Sequence, residues 1–169
     1  MDDNEKVAGF TAFYEGSKQK VFRAVLLARA GDRQAAEDAV ADAYERAYLR
    51  WEKLAEHPNP TAWVIRTAMN QRISMWRRQR RVELGDPEAG PAAARTADFI
   101  DPALMEMVRA LPRGQREVLA LRVLLDFSTE QTADALGIKQ GTVKAQLHRA
   151  LQALRPQVAA QEFEEVCPS

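Results

Sequence analysis

Apolar residues recur every three or four positions along nearly the whole chain. Nowhere do they alternate over a run long enough for a strand, so a chain patterned this way must bury its core between helices. Phe10, Phe13, Tyr14, Val21, Val25 and Leu26 fit one face of a first helix. Gly31 suits the left-handed end of that helix. Asp32 can cap a second, along which Ala36, Val40, Ala43, Tyr44, Ala47 and Trp51 repeat. His57-Pro58-Asn59-Pro60 breaks the pattern. Asn59 is a good N-cap, and Pro60 suits a first turn because its missing N–H would have no partner there. That third helix is predicted to run to about Arg80.

From Glu83 to about Thr96 the chain is Gly, Pro, Ala and acid without a core stripe, which reads as a linker. Asp101-Pro102 opens a short helix through Met105 and Val108. Pro112 opens another, expected to bury Val118, Leu119, Leu121 and Val123. Ser128-Thr129-Glu130-Gln131 has the form of a capping box, and the helix it starts should end at Gly137. A last helix is predicted from about Gln140 to Leu154, stopping before Pro156. The expected fold is all-α: a helical domain over residues 1–82, a flexible acidic linker over 83–103, a second helical domain over 104–155 and a tail over 156–169.

Lys plus Arg and Asp plus Glu number 24 each, which argues against a simple basic nucleic-acid coat or an acidic tail protein. The charge is segregated, however. Residues 61–82 hold six arginines and no acid, and residues 139–155 hold four bases and no acid. Two basic islands in a neutral chain suggest two surfaces that meet a polyanion.

The second island lies in a helix-turn-helix pattern over residues 129–154. Ala133 lets the helices cross closely, Gly137 makes the turn and Val143 packs the second helix on the first. Val143, Leu147, Ala150, Leu151 and Leu154 form an apolar stripe. The other side offers Gln140, Thr142, Lys144, Gln146, His148, Arg149 and Gln152, types that bond base edges and phosphates in a major groove. A helical hairpin with a solvated basic face would share this pattern. In the first island, Arg66, Arg72, Arg77, Arg78, Arg80 and Arg81 share a helix with Trp63, Asn70, Ser74 and Trp76. Cations track phosphates, and aromatic and amide groups can engage exposed bases. Trp63 reads as a core residue before a base-stacking one, because Trp usually buries its large surface. On the second helix Asp38, Asp42 and Glu45 share a side opposite much of the apolar stripe, either a solvated face or a docking surface for a basic partner.

Signals for chemistry are lacking. Cys167 is the single cysteine, and His57 and His148 are the only imidazoles, so neither a disulfide nor a metal cluster is expected. No P-loop, nucleophile elbow or dinucleotide turn appears, and neither enzyme activity nor a cofactor is expected. The acidic N-terminus lacks the features of a signal peptide, and no apolar run approaches the roughly 18 residues of a spanning helix. A soluble, cytoplasmic protein without membrane contact of its own is the expectation.

Taken together, these features resemble bacterial RNA polymerase sigma factors of the extracytoplasmic-function (ECF) type. The resemblance rests on Ala36-Glu37-Asp38-Ala39-Val40 through Trp51, on Pro60-Thr61-Ala62-Trp63-Val64 through Arg81, and on Leu111-Pro112-Arg113-Gly114-Gln115-Arg116-Glu117-Val118-Leu119. It is especially close over Gly141-Thr142-Val143-Lys144-Ala145-Gln146-Leu147-His148-Arg149-Ala150. Residues 10–82 look like sigma domain 2 and residues 104–155 like sigma domain 4. The resemblance implies that the second helix, through Asp38, Asp42, Glu45 and Arg50, docks on the clamp coiled coil of core RNA polymerase, and that domain 4 meets its flap. It implies that His57, Asn59, Trp63 and Asn70, with Arg66, Arg72, Ser74, Arg77 and Arg78, engage the promoter −10 element and a flipped-out base. The last helix, through Gln140, Thr142, Lys144, Ala145, Gln146, His148, Arg149 and Gln152, would read the −35 element. Promoter DNA and an anti-sigma factor covering domains 2 and 4 are the further implied partners. The chain departs from the family pattern at Ala41, often Gln, at Ser74, often Asp, and at Ala145-Gln146, often Ser-Arg. The last change removes a cation from the −35 reader. A stand-alone helix-turn-helix regulator is the competing reading, and the arginine-rich third helix counts against it, since a sensing module needs no second nucleic-acid surface.

Overall fold

A computed structural model describes the backbone of residues 2–70 and 101–166, and side chains as far as residue 155. The described residues form eight α-helices and no strand, in line with the all-α expectation. They are α1 (Asp3–Ala28), α2 (Arg33–Leu49), α3 (Trp51–Leu54), α4 (Pro60–Asn70), α5 (Pro102–Arg109), α6 (Arg113–Leu119), α7 (Thr129–Leu136) and α8 (Gln140–Val166), with a π-helical turn at Ala120–Leu124 between α6 and α7. The predicted course of the third helix beyond Asn70, and the acidic segment 83–100, lie outside the described residues.

Local chemistry sets most helix ends. Asp2 opens α1 with a capping box in which its side chain accepts the Glu5 N–H at 2.7 Å. Asp32 caps α2 through the Ala35 N–H at 3.0 Å. Ser128 and Gln131 exchange two bonds at the start of α7, as the sequence predicts, a motif worth about 1 kcal/mol. Gly137 ends α7 in the left-handed region at φ 67°, where the absence of a Cβ removes the steric cost. Ala30 and Gly31 also turn left-handed, φ 56° and 79°, and end α1.

Helices α1, α2 and α4 meet largely through alanines. Ala24, Ala28, Ala36, Ala39, Ala43, Ala47 and Ala68 are all buried, so the helix backbones approach closely. The N-terminal half of α1 instead joins an aromatic cluster. Phe13 stacks on Trp51 at 5.0 Å, Tyr14 meets Tyr44 edge-on at 4.9 Å, and Phe10 meets Tyr48 edge-on at 5.1 Å. The end of α1 is buried on every side, Ala24 through Ala28 all below 5% exposed. Burial all round requires neighbours all round. Helices α2 and α4 supply part of them, and α6 and the π turn supply the rest. One apolar core therefore runs from Val21 and Ile65 through Met105, Val108 and Leu121 to Ala150.

Four expectations need correction. Trp51 does not prolong α2. The chain breaks at Arg50, and Trp51, 6% exposed, starts the one-turn α3 so that its indole can reach Phe13. Val123 is 61% exposed because, two positions after the fully buried Leu121, it lies on the opposite side of the helical turn. Leu151 is 49% exposed, since eight helical positions after Val143 it has drifted about 80° off the buried stripe. Finally, α8 passes through Pro156 to Val166. Proline's fixed φ is itself helical and one ladder bond is forfeited, while the Ala, Gln and Glu that follow are good helix formers.

Candidate nucleic-acid interface

Helices α7 and α8 build the first candidate surface. Val143 and Ala150 are fully buried, with Leu154 and the half-buried Leu147 beside them, and these anchor one side of α8. On the opposite side stand Ala145, His148, Arg149 and Gln152, all exposed and spaced i, i+3, i+4 and i+7, which places them on one face. Thr142, Lys144 and Gln140 flank it and are exposed. Gln146 is half-buried: it turns toward α6, where a Cβ on Gly114 would lie 3.5 Å from its amide nitrogen. The amide that stands where the family often has arginine thus rests against the scaffold rather than at the centre of the face.

The second candidate surface surrounds the start of α4. His57 is exposed, and its Nδ1 accepts the Asn59 N–H at 3.0 Å, which assigns the ring proton to Nε2. Asn59 Oδ1 accepts the Ala62 N–H at 2.9 Å. The Asn59 side-chain carbonyl is thereby committed to capping α4, leaving its amide N–H groups to donate. Arg66 and Asn70 are exposed. Trp63 is half-buried, with the Arg50 guanidinium 5.9 Å from its ring centre. Arg50, expected as a polymerase contact, thus sits beside a residue expected at the −10 element. Arg72, Ser74, Arg77 and Arg78 lie outside the described residues.

The acidic side of α2 differs from its expectation. Asp42 is 6% exposed and pairs with Arg46 at 2.8 Å. The alanines at 39 and 43 draw that part of α2 close to its neighbours, and the ion pair offsets the cost of removing the carboxylate from water. Asp38 is half-buried, with the Gln34 amide donating to it at 3.4 Å. Glu45 is the exposed acid of the three, and Tyr48, Leu49 and Arg50 extend its exposed surface. Ala41, also exposed, lines an open groove between α1 and α2 with Tyr14, Lys18 and Phe22.

Sequence reasoning missed Arg109, Arg113 and Arg116. Each donates to a main-chain carbonyl of the first helical unit, and carbonyl acceptors leave no mark in a sequence.

Two helical units, one ending in an exposed helix-turn-helix face and the other carrying a capped, arginine-bearing helix, define a transcription factor of the sigma-70 kind. The sigma-70 region 2 family matches residues 14–82, and sigma-70 region 4 matches residues 102–154. The RNA polymerase sigma-E factor of Streptomyces coelicolor is 37% identical over 133 residues, covering 76% of this chain and 75% of that protein. The ECF RNA polymerase sigma factor SigL of Mycobacterium tuberculosis is 34% identical over 133 residues, 74% of this chain and 75% of that protein. SigD of the same species is 42% identical over 74 residues, 43% of this chain and 34% of that protein. The chain belongs to the extracytoplasmic-function group of RNA polymerase sigma factors, which direct transcription initiation. Among the described residues, no helix is long and apolar enough to cross a membrane.

Proposed function

We propose that the chain gives core RNA polymerase its promoter specificity through four surfaces, and that it performs no covalent chemistry. The exposed side of α2 around Glu45 and Leu49, with Asp38, docks on the polymerase clamp. The unit over residues 104–155 seats on the flap. The capping loop and α4 engage the −10 element, His57 through Nε2, Asn59 through its amide and Arg66 through phosphate. α8 reads the −35 element, with Arg149, His148 and Gln152 supplying hydrogen bonds and Ala145 a methyl suited to thymine. The boundaries 1–82 and 104–155 follow this division of labour, and an anti-sigma factor would silence the protein in the cytoplasm by covering both units.

The observation that carries this reading is the face of Ala145, His148, Arg149 and Gln152, exposed directly opposite a buried anchor. Its formal charge is positive while the whole chain is neutral, so binding strong enough for promoter selection calls for the polymerase as a second source of affinity. Gel filtration with core polymerase tests it. Co-elution near one to one, with transcripts starting downstream of a shared sequence pair, is the expected result. Tight binding to duplex DNA without co-elution would instead make the chain a stand-alone regulator.

A further inference from the structure

The anchors of α8 lie along one line. Val143, Leu147, Ala150 and Leu154 follow one another at i, i+4, i+7 and i+11, and at about 100° per residue they fall within about 60° of one another around the helix. Val143 packs with Val118 of α6 and Ala133 of α7, while Ala150 and Leu154 join the main core. Contacts on a single line hold a helix down and stop it sliding, but they oppose a roll about its own axis only weakly. A roll matters at the exposed face. Side-chain tips stand about 5–6 Å from a helix axis, so a roll of about 20° carries them about 2 Å. That displacement takes a hydrogen bond to a base edge outside its working range.

One polar side chain stands off the line of anchors. Gln146 lies about 70° around the helix from their centre, and about 110° from the centre of the face of Ala145, His148, Arg149 and Gln152. It is half-buried, whereas those four are exposed. Its amide rests on the first turn of α6, where a Cβ built on Gly114 would meet Nε2 at 3.5 Å and Cδ at 3.7 Å, ordinary van der Waals distances.

Resting on the promoter reading above, we propose that Gln146 is a positioning residue of the −35 reader. It props α8 against α6 at Gly114, and so sets the roll at which His148, Arg149 and Gln152 meet the base edges, without itself touching DNA. An off-line contact blocks the one motion that the anchors leave soft. An amide turned to the scaffold also removes one donor and acceptor group from the groove, so discrimination falls to residues whose aim depends on the prop. The prop acts through bulk. Gln146→Met keeps the length of the side chain and fills the same seat but offers no amide to a base, whereas Gln146→Ala empties the seat.

Binding of the full-length chain with core polymerase separates positioning from reading. The probe is a promoter duplex carrying the −35 sequence common to the transcripts of that complex, together with copies in which each −35 base pair is changed in turn. A changed pair ordinarily weakens binding by about 5- to 150-fold. In Gln146→Ala that penalty should shrink by about fivefold, the worth of one neutral contact, at two or more base pairs together. Gln146→Met should restore the parent's profile. Both variants should co-elute with polymerase and keep the parent's helical circular dichroism. Loss confined to one base pair, or a methionine profile that matches the alanine one, would make the amide a direct reader and overturn the proposal. An unchanged profile in Gln146→Ala would overturn it too, because the roll would then be set without this residue. Should Gln146→Ala lose helicity, Gln146→Met decides alone: parental discrimination supports the prop and lost discrimination refutes it. A parent chain that shows no promoter-dependent binding with polymerase would overturn the sigma reading itself, a failure visible before any variant is made.

Discussion

Replacing Tyr44 with phenylalanine removes one oxygen atom from a nearly closed site between α1 and α2. Tyr44 is 4% exposed, and its hydroxyl lies 2.8 Å from Ser17 Oγ. Ser17 already donates its proton to the Phe13 carbonyl at 2.6 Å, so the tyrosine is the donor in the pair. Burial pushes the Tyr44 phenol up to about 12. In the unfolded chain the phenol titrates near 10. The stability gained by keeping it neutral is therefore whole below about pH 10 and is lost as the pH climbs toward about 12, a change of about 2–3 kcal/mol. At neutral pH, Tyr44→Phe should cost about 1 kcal/mol, the usual net worth of one hydrogen bond, and lower the melting temperature by about 2–4 °C. Phenylalanine does not titrate, so the variant escapes the alkaline loss and the two stabilities should meet at about pH 11. Urea unfolding of both proteins at neutral and alkaline pH, followed by circular dichroism, gives the gap directly. A gap of equal width at both pH values would refute the claim that this hydroxyl is held neutral by burial.

Four further changes test the surfaces and the packing beneath them. Arg149→Ala should weaken binding to a −35 duplex by about 1–3 kcal/mol, or lower the salt slope by about 1 where it meets phosphate, while co-elution with polymerase is unchanged. Equal loss of both would mean the surfaces are one. Glu45→Arg should reduce co-elution without moving the melting temperature, whereas Asp42→Ala should lower stability by about 1 kcal/mol, because it removes a buried side chain together with its ion pair to Arg46. Thermal melts beside gel filtration distinguish the two. Gly137→Ala forces a Cβ into the left-handed region at φ 67° and should cost about 1–2 kcal/mol, loosening the approach of α8 to α7. A melt indistinguishable from the parent would show that this turn bears no strain.

Where structure was legible in the residues, a local rule was at work. Asp32, Asn59, Ser128 and Gly137 cap or end helices as predicted, because each satisfies backbone groups within four positions of itself. The exposed face of α8 at Ala145, His148, Arg149 and Gln152 was equally legible, since α8 is regular and its buried residues fix what lies opposite. Failures came where distant residues decide. Asp42 reads as a solvated acid on its own helix, and only the close approach of neighbouring helices buries it. Arg50 turns to Trp63 across thirteen positions. The contact between the two helical units was illegible because Arg109, Arg113 and Arg116 recognise main-chain carbonyls, which every sequence possesses.

The alanine packing of α2 also shapes how such a protein can change over generations. Ala36, Ala39, Ala43 and Ala47 are at or below 1% exposed, and any larger side chain there must push helices apart, at about 1–3 kcal/mol each. The outward positions of the same helix, Gln34, Ala41, Glu45 and Leu49, touch no such limit. Inheritance is thus channelled: the inner face is frozen by volume, while the outer face is free to drift with whatever it meets. A duplicated copy of this gene would be able to acquire a new docking preference by single steps along α2 without crossing a loss of fold, and divergence between copies should concentrate on that outer row.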